Sequence, residues 1–128
     1  MLHYSEGNEM RQKTFHIKFM GDDWKLILQS DAAFSRSHPE PESADATALT
    51  DFSAKKIWFR ASEFTLYHVI HELIHARFGY NCLDEASLSH DQMEEIFAKY
   101  MGEHGESHLK TSKGIFRKMA SHAEKMVG

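Results

Sequence analysis

The stretch Tyr67-His68-Val69-Ile70-His71-Glu72-Leu73-Ile74-His75-Ala76-Arg77-Phe78 decides how the rest of the chain is read. On a helix of 3.6 residues per turn, Leu66, Tyr67, Val69, Ile70, Leu73, Ile74 and Phe78 cover one broad arc, and His68, His71, Glu72 and His75 fill the complementary one. Histidines four apart stand one above the other, so both imidazoles can reach one tetrahedral metal. The intervening Glu72 leans over the same position as a general base. An apolar back and a ligand-bearing front is the division that a metal-site helix needs. His68 shares that front, either as a substrate-side residue or as an ordinary half-exposed histidine.

Working outward, Ser62 suits an N-cap, which predicts a helix over 62–78 stopped by Gly79. Upstream, Lys56-Ile57-Trp58-Phe59-Arg60 is rich in β-forming residues and predicts a strand; the adjacent Trp58 and Phe59 must face opposite sides of it. Residues 14–29 predict a hairpin, with Phe15, Ile17 and Phe19 alternating on one arm, Trp24, Leu26 and Leu28 on the other, and Gly21-Asp22-Asp23 as the turn. Residues 30–46, with Pro39, Pro41 and few apolar side chains, read as a mobile loop. Downstream, Ser89-His90-Asp91-Gln92 has the form of a capping box and opens a helix to Met101, ended by Gly102. A further helix from Thr111 or Ser112 carries Ile115, Phe116, Met119, Ala120, Ala123 and Met126 on one face. Strands followed by helices predict an α+β fold: a small N-terminal antiparallel or mixed sheet packed on the His71–His75 helix, then two more helices, all in one domain over 1–128.

Composition narrows the function classes. A formal charge of -4 argues against broad nucleic-acid or anionic-membrane binding as the main activity. The single Cys82 forbids an intrachain disulfide. No apolar run approaches the roughly 20 residues of a membrane helix. The start, Met1-Leu2-His3-Tyr4-Ser5-Glu6, lacks a charged-then-apolar leader pattern, and the expectation is a cytoplasmic protein. Ten histidines in 128 residues direct attention to metal chemistry, with three of them at 68, 71 and 75.

The strand at 56–60, the lead-in Tyr67-His68-Val69-Ile70, the His71-Glu72-Leu73-Ile74-His75-Ala76 motif and the glutamate-bearing helix after it resemble a zincin metallopeptidase of the small gluzincin type. Roughly residues 47–103 carry the resemblance, which is similar to minimal phage and bacterial zinc peptidases of the ImmA/IrrE and SprT-like groups. It implies a zinc ion (Zn2+) on His71 and His75, and hydrolysis of peptide bonds by a water that Glu72 deprotonates. In gluzincins the third ligand is a Glu on the following helix. Glu94 and Glu95 both stand at that distance, and Glu94 borders the buried face set by Met93, Ile96, Phe97, Tyr100 and Met101, whereas Glu95 points away. The SprT-like pattern places a histidine there instead, and His90 has that spacing. Both alternatives stand at this point.

The resemblance further implies a protein or peptide substrate bound as an extended strand along a sheet edge, with Lys56 to Arg60 as the edge. Tyr67, His68, Tyr80, Tyr100 and His104 are candidates to steady an oxyanion. Lys110, Lys113, Arg117, Lys118 and Lys125 give the last helix a basic face, read as solvated, or as an approach to DNA-bound substrates in the SprT-like case. Two other function classes remain: a zincin-derived binding or regulatory module that does not cleave, and a structural zinc site closed by His68 or Cys82.

Overall fold

The computed structural model describes residues 10–40, 46–80 and 89–127, with the Tyr80 side chain outside that set. Strands β1 (Gln12–Phe19) and β2 (Asp22–Gln29) form the expected hairpin. Its turn is Met20-Gly21, one residue earlier than the sequence reading. Both residues have positive φ, 51° and 84°, as a two-residue hairpin turn with the strands' own twist requires. Side-chain parity explains the shift. Pairing Phe19 with Asp22 puts Phe15, Phe19, Trp24, Leu26 and Leu28 on one buried face, with Phe19 edge-on to Trp24 at 6.3 Å.

The segment after β2 is a seven-residue helix, α1 (Asp31–Ser37), not a loop; residues 41–45 of the predicted loop lie outside the described set. Ser30 caps α1 through its Oγ, which accepts from the Ala33 amide at 3.3 Å, and only Ala33 and Phe34 of the helix are buried. Two buried residues in seven are too few for a periodic signal.

Strand β3 (Ala48–Asp51) and the expected strand β4 (Lys56–Arg60) complete a mixed sheet in the order β1-β2-β4-β3. Strand β4 runs parallel to β2 and antiparallel to β3. Ile57 and Phe59 continue the buried face of Leu26 and Leu28. On the other face Trp58 packs against His38, whose ring lies tilted against Phe34, so α1 covers that side. Trp58 and Phe59 thus face opposite layers, as adjacency demands.

After a 3-10 turn at Ala61–Glu63 comes α2 (Leu66–Tyr80). The helix starts later than predicted: Thr65, not Ser62, receives the His68 amide on its Oγ1 at 3.3 Å, while the Ser62 hydroxyl donates to Asp31 at 2.7 Å. It also runs through Gly79. A Cβ there would enter the ring of Phe52, so this glycine serves close approach, not helix termination.

The two predicted C-terminal helices are one, α3 (His90–Val127), 38 residues long. Its capping box is present: the Gln92 amide donates to Ser89 Oγ at 3.1 Å and the Ser89 amide to Gln92 Oε1 at 2.8 Å. Gly102 has open space around it, and the buried stripe of Tyr100, His108, Ser112, Ile115, Met119 and Ala123 passes it in helical register. His108 and Ser112 hold polar places in that stripe, so the apolar periodicity fades where the helix continues. Val69, Leu73 and Ala76 of α2 and Ile115, Met119 and Ala123 of α3 close the core over the sheet. The fold is α+β, with α1 on one face of the sheet and α2 and α3 on the other.

Candidate metal centre

Helix α2 brings His71 and His75 together, Nε2 to Nε2 at 3.2 Å, with both rings exposed on its front. Two nitrogens about 2.05 Å from a tetrahedral ion stand ~3.3 Å apart, so the pair already has the bite of a zinc chelate. Glu72 turns toward the sheet and is 6% exposed. Its Oε1 accepts the Thr50 hydroxyl at 2.8 Å, and its Oε2 lies 3.9 Å from His71 Nε2. Two imidazoles are donors of the kind a divalent zinc ion takes, and Glu72 stands beside them as a restrained carboxylate outside the donor pair.

Strand β3 forms the opposite wall. The cleft between it and α2 is lined by Ala48, Leu49, Thr50, Phe52, His71, Glu72 and His75. Strand β4, expected as the substrate edge, is hydrogen-bonded on both sides and has no free edge; β3 is the outer strand. Its polarity follows from the ladder. The Arg60 amide donates to the Thr47 carbonyl at 2.9 Å, so Thr47, Leu49 and Asp51 turn their backbone groups to β4. The N–H and C=O groups of Ala48 and Thr50 therefore point outward, beside the histidines. Asp51 ends this edge. Its carboxyl lies below the usual range because the Ser53 hydroxyl and the Ala54 amide donate to it.

Glu94 is exposed and pairs with His90, Oε1 to Nε2 at 3.0 Å. The two helices run antiparallel: Tyr100 meets Phe78, and His108 meets Ile70. On that alignment the level of His75 falls near residue 103, which leaves Glu94 nine residues, about 13 Å, farther along the axis. The structure does not bring Glu94 or His90 to the histidine pair. Among the described residues no three His, Cys, Asp or Glu side chains form a group able to hold a metal. The residues of α3 level with the pair are 103–107. Among them His104 follows the Tyr100–His108 stripe toward α2, its ring 5.5 Å from that of Tyr100.

The other sequence candidates divide by location. Tyr67 is 66% exposed beside His71, with ring centres 5.8 Å apart. His68 shares a hydrogen bond with Thr65 through Nδ1 at 2.9 Å. Tyr100 is buried against His108 and turned away from the cleft. Lys110, Lys113, Arg117, Lys118 and Lys125 are all exposed. Cys82 and the Tyr80 side chain lie outside the described set. Thr50 was absent from the sequence reading: it lies 22 residues before Glu72, on a strand whose four half-buried residues alternate too weakly to be seen.

No helix among the described residues is long and apolar enough to cross a membrane. No protein-family model, curated protein or solved structure matches the chain.

Proposed function

We propose that this chain is a zinc-dependent metallopeptidase. The reading is carried by one observation: a zinc-spaced histidine pair and a buried, tethered glutamate share a cleft with the outer strand of the sheet, whose outward backbone groups have no strand partner among the described residues and can take up a peptide. His71 and His75 hold the ion, which when bound supplies a Lewis acid for a scissile carbonyl and for water. The outward N–H and C=O groups of Ala48 and Thr50 extend the sheet by one substrate strand and lay its backbone across the histidines. Thr50 occupies Oε1 of Glu72, so Oε2 is the oxygen that receives the proton of the attacking water and returns it to the leaving amine nitrogen. The ligand roles rest on His71 and His75; Glu94 joins them only if the first turns of α3 move toward the cleft.

The test is cleavage of a mixed peptide library, followed by mass spectrometry, with zinc-loaded wild type and Glu72→Gln. Cleavage products from the wild type alone support the reading. Equal products from both samples, or none from either, contradict it.

A further inference from the structure

Behind the cleft, where α2 meets α3, a second polar cluster surrounds His108, which is 1% exposed. Its Nε2 lies 2.9 Å from the carbonyl oxygen of Ile70. A carbonyl only accepts, so Nε2 carries the ring proton and Nδ1 presents a lone pair. The Tyr100 hydroxyl, 2.6 Å away, and the Arg77 Nε–H, 3.2 Å away, both donate to that lone pair. Three partners on two helices agree on one neutral tautomer. Burial lowers the imidazole pKa; the Ile70 carbonyl opposes that shift, and the Arg77 charge adds to it.

Two of these partners lie on α2 and bracket the metal-binding pair. Ile70 immediately precedes His71, and Arg77 follows His75 by two. Arg77 stands seven positions after Ile70, so the two fall within about 20° of each other around the axis. One imidazole therefore pins α2 at two places on a single side. Val69, Leu73 and Ala76 of α2 and Ile115, Met119 and Ala123 of α3 pack by apolar contact, which tolerates sliding and rotation better than directional bonds do. An axial slip or a rotation would leave the buried ring nitrogens unpaired, at a desolvation cost that makes the observed register the preferred one.

We infer that His108 is a positioning residue for the His71–His75 pair: it sets the rotation and axial level of α2, so that both imidazoles face the β3 edge. This role rests on the two-histidine reading above. His108 touches neither metal ligand and acts through the Ile70 carbonyl and the Arg77 side chain. Among the described residues, the charged and titratable groups facing it are Arg77 from α2 and Tyr100 from α3. His104 lies beyond Tyr100, and the Arg77 guanidinium also reaches Met20 at the hairpin turn, Nη1 to sulfur at 3.7 Å.

The test measures zinc affinity by chelator competition at pH 7.5 for wild type, His108→Leu, His108→Gln and His108→Asn, with circular dichroism on the same samples. The glutamine amide reaches Ile70 with a donor. The asparagine amide is too short to do so while still meeting Tyr100 and Arg77. The expected result is a glutamine variant within about threefold of wild type, and leucine and asparagine variants weaker by roughly tenfold or more, as for groups that orient metal ligands from outside the coordination shell. Folded leucine and asparagine variants that bind zinc as tightly as wild type overturn the role assigned to His108. If the leucine variant does not fold, the asparagine and glutamine pair decides. Wild type without zinc overturns the two-histidine reading itself, and the His108 role with it. A separate nitrogen-15 spectrum of the metal-free protein reads the tautomer: a protonated Nδ1 at neutral pH overturns the lock regardless of zinc.

Discussion

The Thr50 hydroxyl donates to Oε1 of Glu72 across 2.8 Å, tying the edge of the sheet to the helix that carries both histidines. Glu72 is buried, and this is the bond that compensates its lost hydration on that oxygen. Thr50→Val should cost about 1–3 kcal/mol by leaving a buried carboxylate oxygen unsatisfied, and Thr50→Ser should recover most of it. Urea unfolding of the three proteins checks this. Equal midpoints for the valine variant and wild type would mean that the hydroxyl does not hold the carboxylate.

The two glycines read from sequence as helix stops should respond in opposite senses to alanine. At Gly102 the space is open, and Gly102→Ala should stabilise the long helix by about 0.5–1 kcal/mol. At Gly79 the added methyl meets the Phe52 ring, and Gly79→Ala should destabilise by about 1–3 kcal/mol despite the better helix propensity. Thermal unfolding of both variants separates these signs. Stabilisation at both sites would contradict the close packing of Phe52 on α2.

His108 gives the fold an acid-side dependence with a defined sign. Its folded pKa is lowered, chiefly by burial, so below the ordinary value near 6.5 the unfolded chain binds more protons than the native one. The contribution is fully present above that value and declines as pH falls from it toward the folded pKa. His38, also lowered chiefly by burial, adds a term of the same sign. Stability curves from pH 7.5 to 5 should be steeper for wild type than for His108→Gln, with the His38 part remaining in both. Parallel curves would contradict the buried neutral imidazole.

Glu94, paired with His90 far along α3 from the histidines, should be dispensable for metal binding. Glu94→Ala is expected to bind zinc within a few-fold of wild type by chelator competition. A large loss would mean that the start of α3 closes on the cleft when the ion binds.

Much of this was legible in the sequence because it depends on local periodicity. The alternation of Phe15 to Leu28 gave the hairpin, the Ser89–Gln92 box gave the start of α3, and the four-residue spacing of His71 and His75 gave their shared face. What escaped depends on tertiary partners. Strand β3 is four half-buried residues held by pairing with β4 and by the Thr50–Glu72 bond, both tertiary partners, and it moves the outer edge from Lys56–Arg60 to Ala48–Asp51. The unbroken α3 was hidden because His108 and Ser112 occupy buried places that periodicity expects to be apolar. The third-ligand expectation used helix spacing, whereas the antiparallel docking of α3 on α2 sets which residues stand level with the histidines.

The most direct test of the account is the zinc content of the purified protein after reconstitution and desalting, measured by elemental analysis for wild type, Glu72→Gln and His75→Ala, with circular dichroism confirming that each folds. The account predicts about one zinc per chain in wild type and in Glu72→Gln, and a large loss in His75→Ala. A folded wild type without zinc, or a His75→Ala variant that keeps it, would contradict the claim that His71 and His75 form the metal centre.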